Sequence, residues 1–276
     1  MYSAIIKHIL TMLTRTQNPQ GLSIFTDITL CVDRSGSMDS FSNAVREGVA
    51  DLLKTHAQTA SSAPVKYNLR VVSFDDQSTV LYTGSASELL DSTGQLDTLK
   101  LSVISQGLIP RGATRLYDTA IEEIENQASR CEAYKTGISP EVLRLGISMS
   151  VVFILLTDGA DNMSACSTRV LREAMEAHCM EHGVSAQFIA ANQDAVETGT
   201  QLGFPAETCL QMDADPQHGR AAMASATASA LRTISGQSGA FLESERTASS
   251  QLPSYDASPW VMDYSTGSLE LEPSRN

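Results

Sequence analysis

Three short stretches hold the residues whose types and spacing carry chemistry: "DRSGS" from Asp33, "GATRL" with Thr114, and "LLTDG" with Asp158. Asp33 closes an apolar run, Ile28 to Val32, and hydroxyls at Ser35, Ser37 and Ser40 crowd the loop behind it around Gly36. Asp33 alone can be read as a nucleophile, a metal ligand or a helix cap. Asp158 closes a second, still more apolar run, and Thr114 sits in a Pro/Gly-bracketed loop just before a helical pattern. Two carboxylates brought to one sheet end repel each other unless one is protonated or a cation lies between them. Carboxylates with hydroxyls, and no histidine or cysteine beside them, form a hard-oxygen donor set. That set suits Mg2+ or Mn2+ and not zinc or copper. The alternate spacing of Asp33, Ser35 and Ser37 lets one tight loop aim several oxygens at one ion, with Gly36 easing the turn. An octahedral cation held by only two carboxylates keeps little compensating negative charge, so it favours an acidic group from another molecule as a further ligand.

The elements that must bring these residues together are legible as an alternation. Apolar runs alternate with amphipathic stretches from about Leu22 to Ile234. "SIFTDITLCVD", "VKYNLRVVSFD", "ISMSVVFILLTDG", "VSAQFIAAN" and a short run near "TCLQM" predict strands, and "STVLYTGSAS" predicts an edge strand. Between them, Val45, Val49, Leu52 and Leu53 share one helical face, and so do Leu116, Ala120, Ile121 and Ile124. A further helix stops at Gly183, and others follow from about Asp194 and along "GRAAMASATASALRTI". This order predicts a doubly wound α/β fold, a mostly parallel sheet with helices on both faces. Ligands of such sheets bind beyond the carboxyl ends of the strands, where the strand order reverses. Asp33 and Asp158 both belong there if their strands are neighbours.

Residues 1–21 read as an amphipathic N-terminal helix or extension, 22–236 as the α/β domain, and 237–276 as an acidic, Ser/Thr-rich disordered tail containing Trp260. The chain of 276 residues carries a net charge of −13 and no basic-aromatic patch, which disfavours nucleic acid and anionic membranes as partners. Five scattered cysteines without a CxxC pair suit a reducing compartment. No apolar run reaches the ~20 residues of a membrane span, and the N-terminus lacks a signal-peptide cleavage pattern, so a cytoplasmic protein is expected. The five histidines show no metal spacing, and His178 and His182 are expected on the surface.

Taken together, Asp33-x-Ser35-x-Ser37, Thr114 in "GATRL" and Asp158 in "LLTDG" resemble the metal-ion-dependent adhesion site (MIDAS) of von Willebrand factor A (vWA) domains. The surrounding text, "VDRSGSM", "IPRGATRLYDTAIEEI" and "VVFILLTDGADNMS", is similar to stand-alone vWA proteins of bacteria and phages. The resemblance implies a Rossmann-like six-stranded sheet of order 3-2-1-4-5-6 with one antiparallel edge strand. It also implies metal bonds from Ser35, Ser37 and Thr114, with Asp33 and Asp158 bonding directly or through water. The activity it implies is divalent-cation-dependent binding of a protein partner that donates an Asp or Glu to the metal, without catalysis. Around this set, Arg34, Arg111, Asn192 and Asp194 are candidates for partner contact. Asp75 and Asp76 are expected on a solvated loop rim, and Asp161 as a brace of its loop.

Two other readings stay open at this stage. A buried strand ending in Asp also suits a magnesium-dependent phosphohydrolase of the haloacid-dehalogenase type, whose acid/base would fall at the position of Ser35, a residue unable to serve in that role. A vWA domain with a purely structural metal is the third. No GxSxG and no GxxxxGK[ST] occurs, which leaves serine hydrolysis and P-loop chemistry unsupported.

Overall fold

The run that ends in Asp33 forms a central strand, Ser23–Asp33 (β1), and its side chains from Phe25 to Asp33 are all buried. Side chains alternate across a sheet, so Ile28, Leu30 and Val32 enter one apolar layer while Phe25 and Cys31 enter another on the opposite face. Asp27, Thr29 and Asp33 share the face of Phe25 and Cys31 by the same alternation. The computed structural model describes residues 23–62, 66–137 and 148–250, together with two strands further on. The helix expected over 1–21 lies outside the described residues.

After β1 come a 3-10 turn over Gly36–Ser40, the helix Ser42–Ser62 (α1), the strands Lys66–Phe74 (β2) and Ser78–Ser85 (β3), and the helix Thr98–Gly107 (α2). Then follow Leu116–Thr136 (α3), Ser148–Thr157 (β4), Thr168–His182 (α4), Val184–Ala191 (β5) and Ala195–Gln201 (α5). Cys209–Met212 (β6), Pro216–Ile234 (α6) and Glu243–Ser249 (α7) complete the main body. The sheet order is β3-β2-β1-β4-β5-β6, with β2–β3 antiparallel and every other neighbouring pair parallel. This is the doubly wound, six-stranded, Rossmann-like arrangement expected.

One apolar layer packs α1 and α6 against the sheet through Val45, Leu52, Met223 and Ala226; the other packs α3, α4 and α5 through Leu116, Ile124, Leu171 and Ala195. α1 and α6 approach closely because Gly48 faces Met223, where an added Cβ would sit 2.5 Å from the Met223 Cβ. α4 ends on Gly183 in the left-handed conformation (φ 64°), and α6 starts with Pro216 behind an Asp215 cap; both are ordinary stop and start chemistry.

Two features differ from the sequence reading. α2 is a helix that the sequence pattern did not predict; its cap is Asp97, which accepts from the Leu99 and Lys100 amides. The disordered tail expected from 237 onward does not describe residues 237–250. Phe241 is 5% exposed within the α1/α6 layer, Arg232 pairs with Glu245 at 2.7 Å, and Asp213 N donates to Ser249 O at 3.0 Å. One buried aromatic and a bidentate ion pair hold what composition marked as loose. Trp260–Asp263 (β7) and Ser268–Leu271 (β8) pair antiparallel in a separate two-stranded sheet.

Candidate metal centre

β1 and β4 are adjacent and parallel, with Val32 opposite Leu156, so Asp33 and Asp158 leave the sheet side by side at the carboxyl ends. Asp33 is 1% exposed. Its Oδ1 accepts from the Ser35 amide at 2.7 Å and its Oδ2 from the Thr157 hydroxyl at 2.6 Å. Ser37 Oγ donates to Asp158 Oδ1 at 2.7 Å and lies 3.0 Å from Ser35 Oγ. A chain of oxygens therefore runs from one strand end to the other. Asp158 Oδ2 is buried and has no hydrogen-bond partner. Among the described residues, no cation pairs with Asp33 or Asp158.

Burial, opposed by the Thr157 and Ser35 hydrogen bonds and assisted by the Asp158 charge, pushes the Asp33 carboxyl up to about 6. Burial raises Asp158 as well, against the Ser37 bond. Both shifts have the same origin: desolvation disfavours the charged form, and the nearby donors are neutral. A divalent ion between these oxygens would answer that lack of positive charge, and an all-oxygen set is of the kind magnesium or manganese takes.

Thr114, 3% exposed, arrives on the loop between α2 and α3. That loop is tied to the Asp33 loop by Gly36 N to Gly112 O at 3.3 Å and Arg111 N to Arg34 O at 2.7 Å. Gly112 has φ +69°, a conformation that favours glycine, and a Cβ there would stand 2.8 Å from Asp76 Oδ1. On its other side Thr114 is clasped by Asn162: Thr114 N donates to Asn162 Oδ1 at 2.8 Å, and Asn162 N to Thr114 O at 3.0 Å. Asp161 accepts from the Leu116 and Tyr117 amides at 2.8 and 3.2 Å, capping α3 from a distant loop where Arg115 offers no side-chain cap. Asp161 is also the brace expected of it, accepting within its own loop from Ser164 N at 3.2 Å and Ser164 Oγ at 2.5 Å. Sequence reasoning missed Thr157, although it directly precedes Asp158, and it missed Asn162 as the clasp.

No protein-family model and no curated protein matches this chain. Solved structures do. The pilus adhesin SpaC of Lactobacillus rhamnosus GG is 13% identical, with 77% of this chain and 31% of that one covered and a TM-score of 0.52. Proximal thread matrix protein 1 of the mussel byssus, solved with a zinc-occupied MIDAS motif, is 16% identical over 73% of this chain and 47% of its own, at a TM-score of 0.51. A von Willebrand factor type A protein from Catenulispora acidiphila is 16% identical, covering 77% and 43%, at a TM-score of 0.45. The fold is that of a vWA domain. This chain spans less than half the length of each of these structures.

Around the mouth of this vWA domain, the residues expected to meet a partner have separate fates. Arg34 is 6% exposed, ion-paired with Asp75 at 2.9 Å, and donates to Gly107 O at 3.0 Å, so its charge is committed inside the domain. Asp75 is 2% exposed and not on a solvated rim: it also holds the exposed Arg111 at 2.6 Å and so pins the Thr114 loop. The sequence could not reveal this, because each partner is more than thirty residues away. Arg111 remains at the surface. Asp194 caps α5 through the Val196 and Glu197 amides at 3.0 and 2.8 Å. Asn192 is exposed with φ 57°, a conformation asparagine tolerates better than other non-glycine residues. Its neighbour Gln193 reaches Gly159 O at 3.5 Å, beside Asp158.

Proposed function

We propose that this chain is a divalent-cation-dependent protein-binding module. In this reading Asp33, Ser35, Ser37, Thr114 and Asp158 hold Mg2+ or Mn2+, and a partner's Asp or Glu completes the coordination. The observation that carries it is the unpartnered, buried Asp158 Oδ2 beside a second buried carboxylate that only neutral groups contact. An unanswered polar atom in such a place costs about 1–3 kcal/mol, and an ion removes that cost. A bound cation supplies positive charge and a coordination position open to an outside oxygen. The chain's own residues do the rest. Asp33 and Asp158 give the charge, Ser35 and Ser37 turn their lone pairs inward once their mutual bonds are released, and the clasped Thr114 closes the third side. The resemblance to a pilus adhesin and to a byssal protein carrying a metal in this motif supports a binding role.

The site has no acid/base at Ser35, so we take it as non-catalytic. Turnover of a generic phosphoester with magnesium, lost in Asp33→Ala, would overturn that. Among the described residues no helix is long and apolar enough to cross a membrane. All five cysteines are free, which suits the cytoplasm.

Calorimetry with Mg2+ and Mn2+ tests the site. The wild-type chain is expected to bind one ion, and Asp33→Ala and Asp158→Ala none. Capture of partners from its own cells, with and without chelator, tests the use of the site. Equal capture with a chelator-dependent melting temperature would favour the structural-metal reading instead.

A further inference from the structure

The same edge of the sheet carries a second cluster, two strands away from Asp158. β6 ends at Met212, and Asp213, Asp215 and His218 follow it around the start of α6. One donor atom from each of the three lies within 4.8 Å of the other two. His218 is 7% exposed, and its Nδ1 is in hydrogen-bond contact with Asp215 Oδ2 and 3.9 Å from Asp213 Oδ2. The opposite oxygens are anchored elsewhere. Asp215 Oδ1 accepts from the Gln217 and His218 amides at 2.9 and 3.2 Å, and Asp213 Oδ1 from Ser250 Oγ at 2.7 Å. Each carboxylate is thus held through one oxygen, and the other oxygen of each lies on the side of His218 Nδ1.

We propose that Asp213, Asp215 and His218 form a second divalent-cation site, of different chemistry from the first. An imidazole nitrogen with two carboxylates makes a three-ligand set that leaves a position for water, suited to zinc or another borderline cation more than to magnesium. The buried imidazole walls one side, while the two carboxylates, partly exposed, leave a way in. Two full negative charges outweigh the roughly half positive charge of the α6 N-terminus. The histidines read as lacking metal spacing were judged along the sequence; here the ligand set comes from two carboxylates that precede one of them. The bound ion would fasten Ser250, and with it the end of α7, to the sheet edge through Asp213.

Zinc titration of the full chain by calorimetry decides the matter, using Asp33→Asn to silence the first site. Asp33→Asn is expected to retain one zinc equivalent. Adding His218→Gln to it, or separately Asp213→Asn, is expected to weaken that binding by at least about 100-fold, more than the loss of a supporting group alone costs. The His218 imidazole signals in the NMR spectrum of Asp33→Asn should move with zinc and stay put with magnesium. The proposal fails if Asp33→Asn binds no zinc, or if both folded double variants bind it as Asp33→Asn does, which leaves the capping of α6 by Asp215 as the role of the cluster. Loss of magnesium binding in Asp33→Asn tests only the first site, so either reading can fail alone.

Discussion

Asp27 and Asp33 stand on the same strand and the same face of the sheet, both out of water, in opposite surroundings. Asp27 faces Arg130 in a two-pronged ion pair at 2.9 and 2.8 Å, with Gln127 Nε2 adding a bond at 3.0 Å. Gln127 in turn meets His178, which is 3% exposed and not at the surface where the sequence suggested it. Asp33 has an amide and a hydroxyl and no cation. The difference teaches how to read a buried carboxylate. Where the protein itself answers the charge, as at Asp27, the group serves the fold; where only neutral groups meet it, as at Asp33, it is the candidate for a charge from outside.

The comparison breaks first under substitution. Asp27→Ala strands Arg130 and is expected to lower unfolding free energy by about 3 kcal/mol, measured by urea denaturation in chelator, while magnesium affinity of the folded protein is unchanged. Asp33→Asn should do the reverse: magnesium affinity drops beyond calorimetric detection and the metal-free protein becomes no less stable. An unchanged affinity in Asp33→Asn sinks the metal reading of the site.

A pH series sharpens the same contrast. The folded chain holds the Asp33 proton up to about 6, against an ordinary value of 3.8. Between those values the native state binds more protons at this group than the unfolded state, so its contribution to stability falls as pH rises. The gap between wild type and Asp33→Asn in chelator should therefore open across that window, by at most about 3 kcal/mol. Saturating magnesium, which favours the ionised carboxylate, should close it. A gap that does not change with pH would show that burial does not govern Asp33.

Smaller effects follow from the loops. Asp75→Asn loosens Arg34 and Arg111, and with them the Thr114 loop; magnesium affinity should fall about tenfold, the scale for groups that hold ligands in place. Asp194→Ala removes the α5 cap for about 1 kcal/mol and should leave magnesium affinity intact by calorimetry. If it weakens partner capture at constant magnesium affinity, Asp194 contacts the partner besides capping its helix.

Much of this was legible along the chain because strand ends are local features. "TLCVD" and "FILLTD" announce buried strands ending in acid, and the alternation of runs announces the sheet. What was not legible depends on long-range pairing. Asp27 and Asp33 look alike as letters, and only Arg130, 103 residues away, separates their roles. Asp75 looked solvated because its cations, Arg34 and Arg111, are remote. α2 was invisible to periodicity because it buries little: Ile104 is inside while Leu99 and Val103 are exposed. Phe241 is a single aromatic in polar text, too little for a pattern and enough for a contact.

The pairing of β1 with β4 also governs when the site can exist. Asp33 and the Thr157 hydroxyl it accepts from are 124 residues apart, and closing so long a loop is entropically costly and slow. On the ribosome, Asp33 emerges early and has no companion until β4 has cleared the exit and entered the sheet beside β1. On the proposed metal reading, cation uptake would be a certificate of a finished central sheet, and a nascent chain arrested before residue 148 should carry every serine of the site and hold no ion.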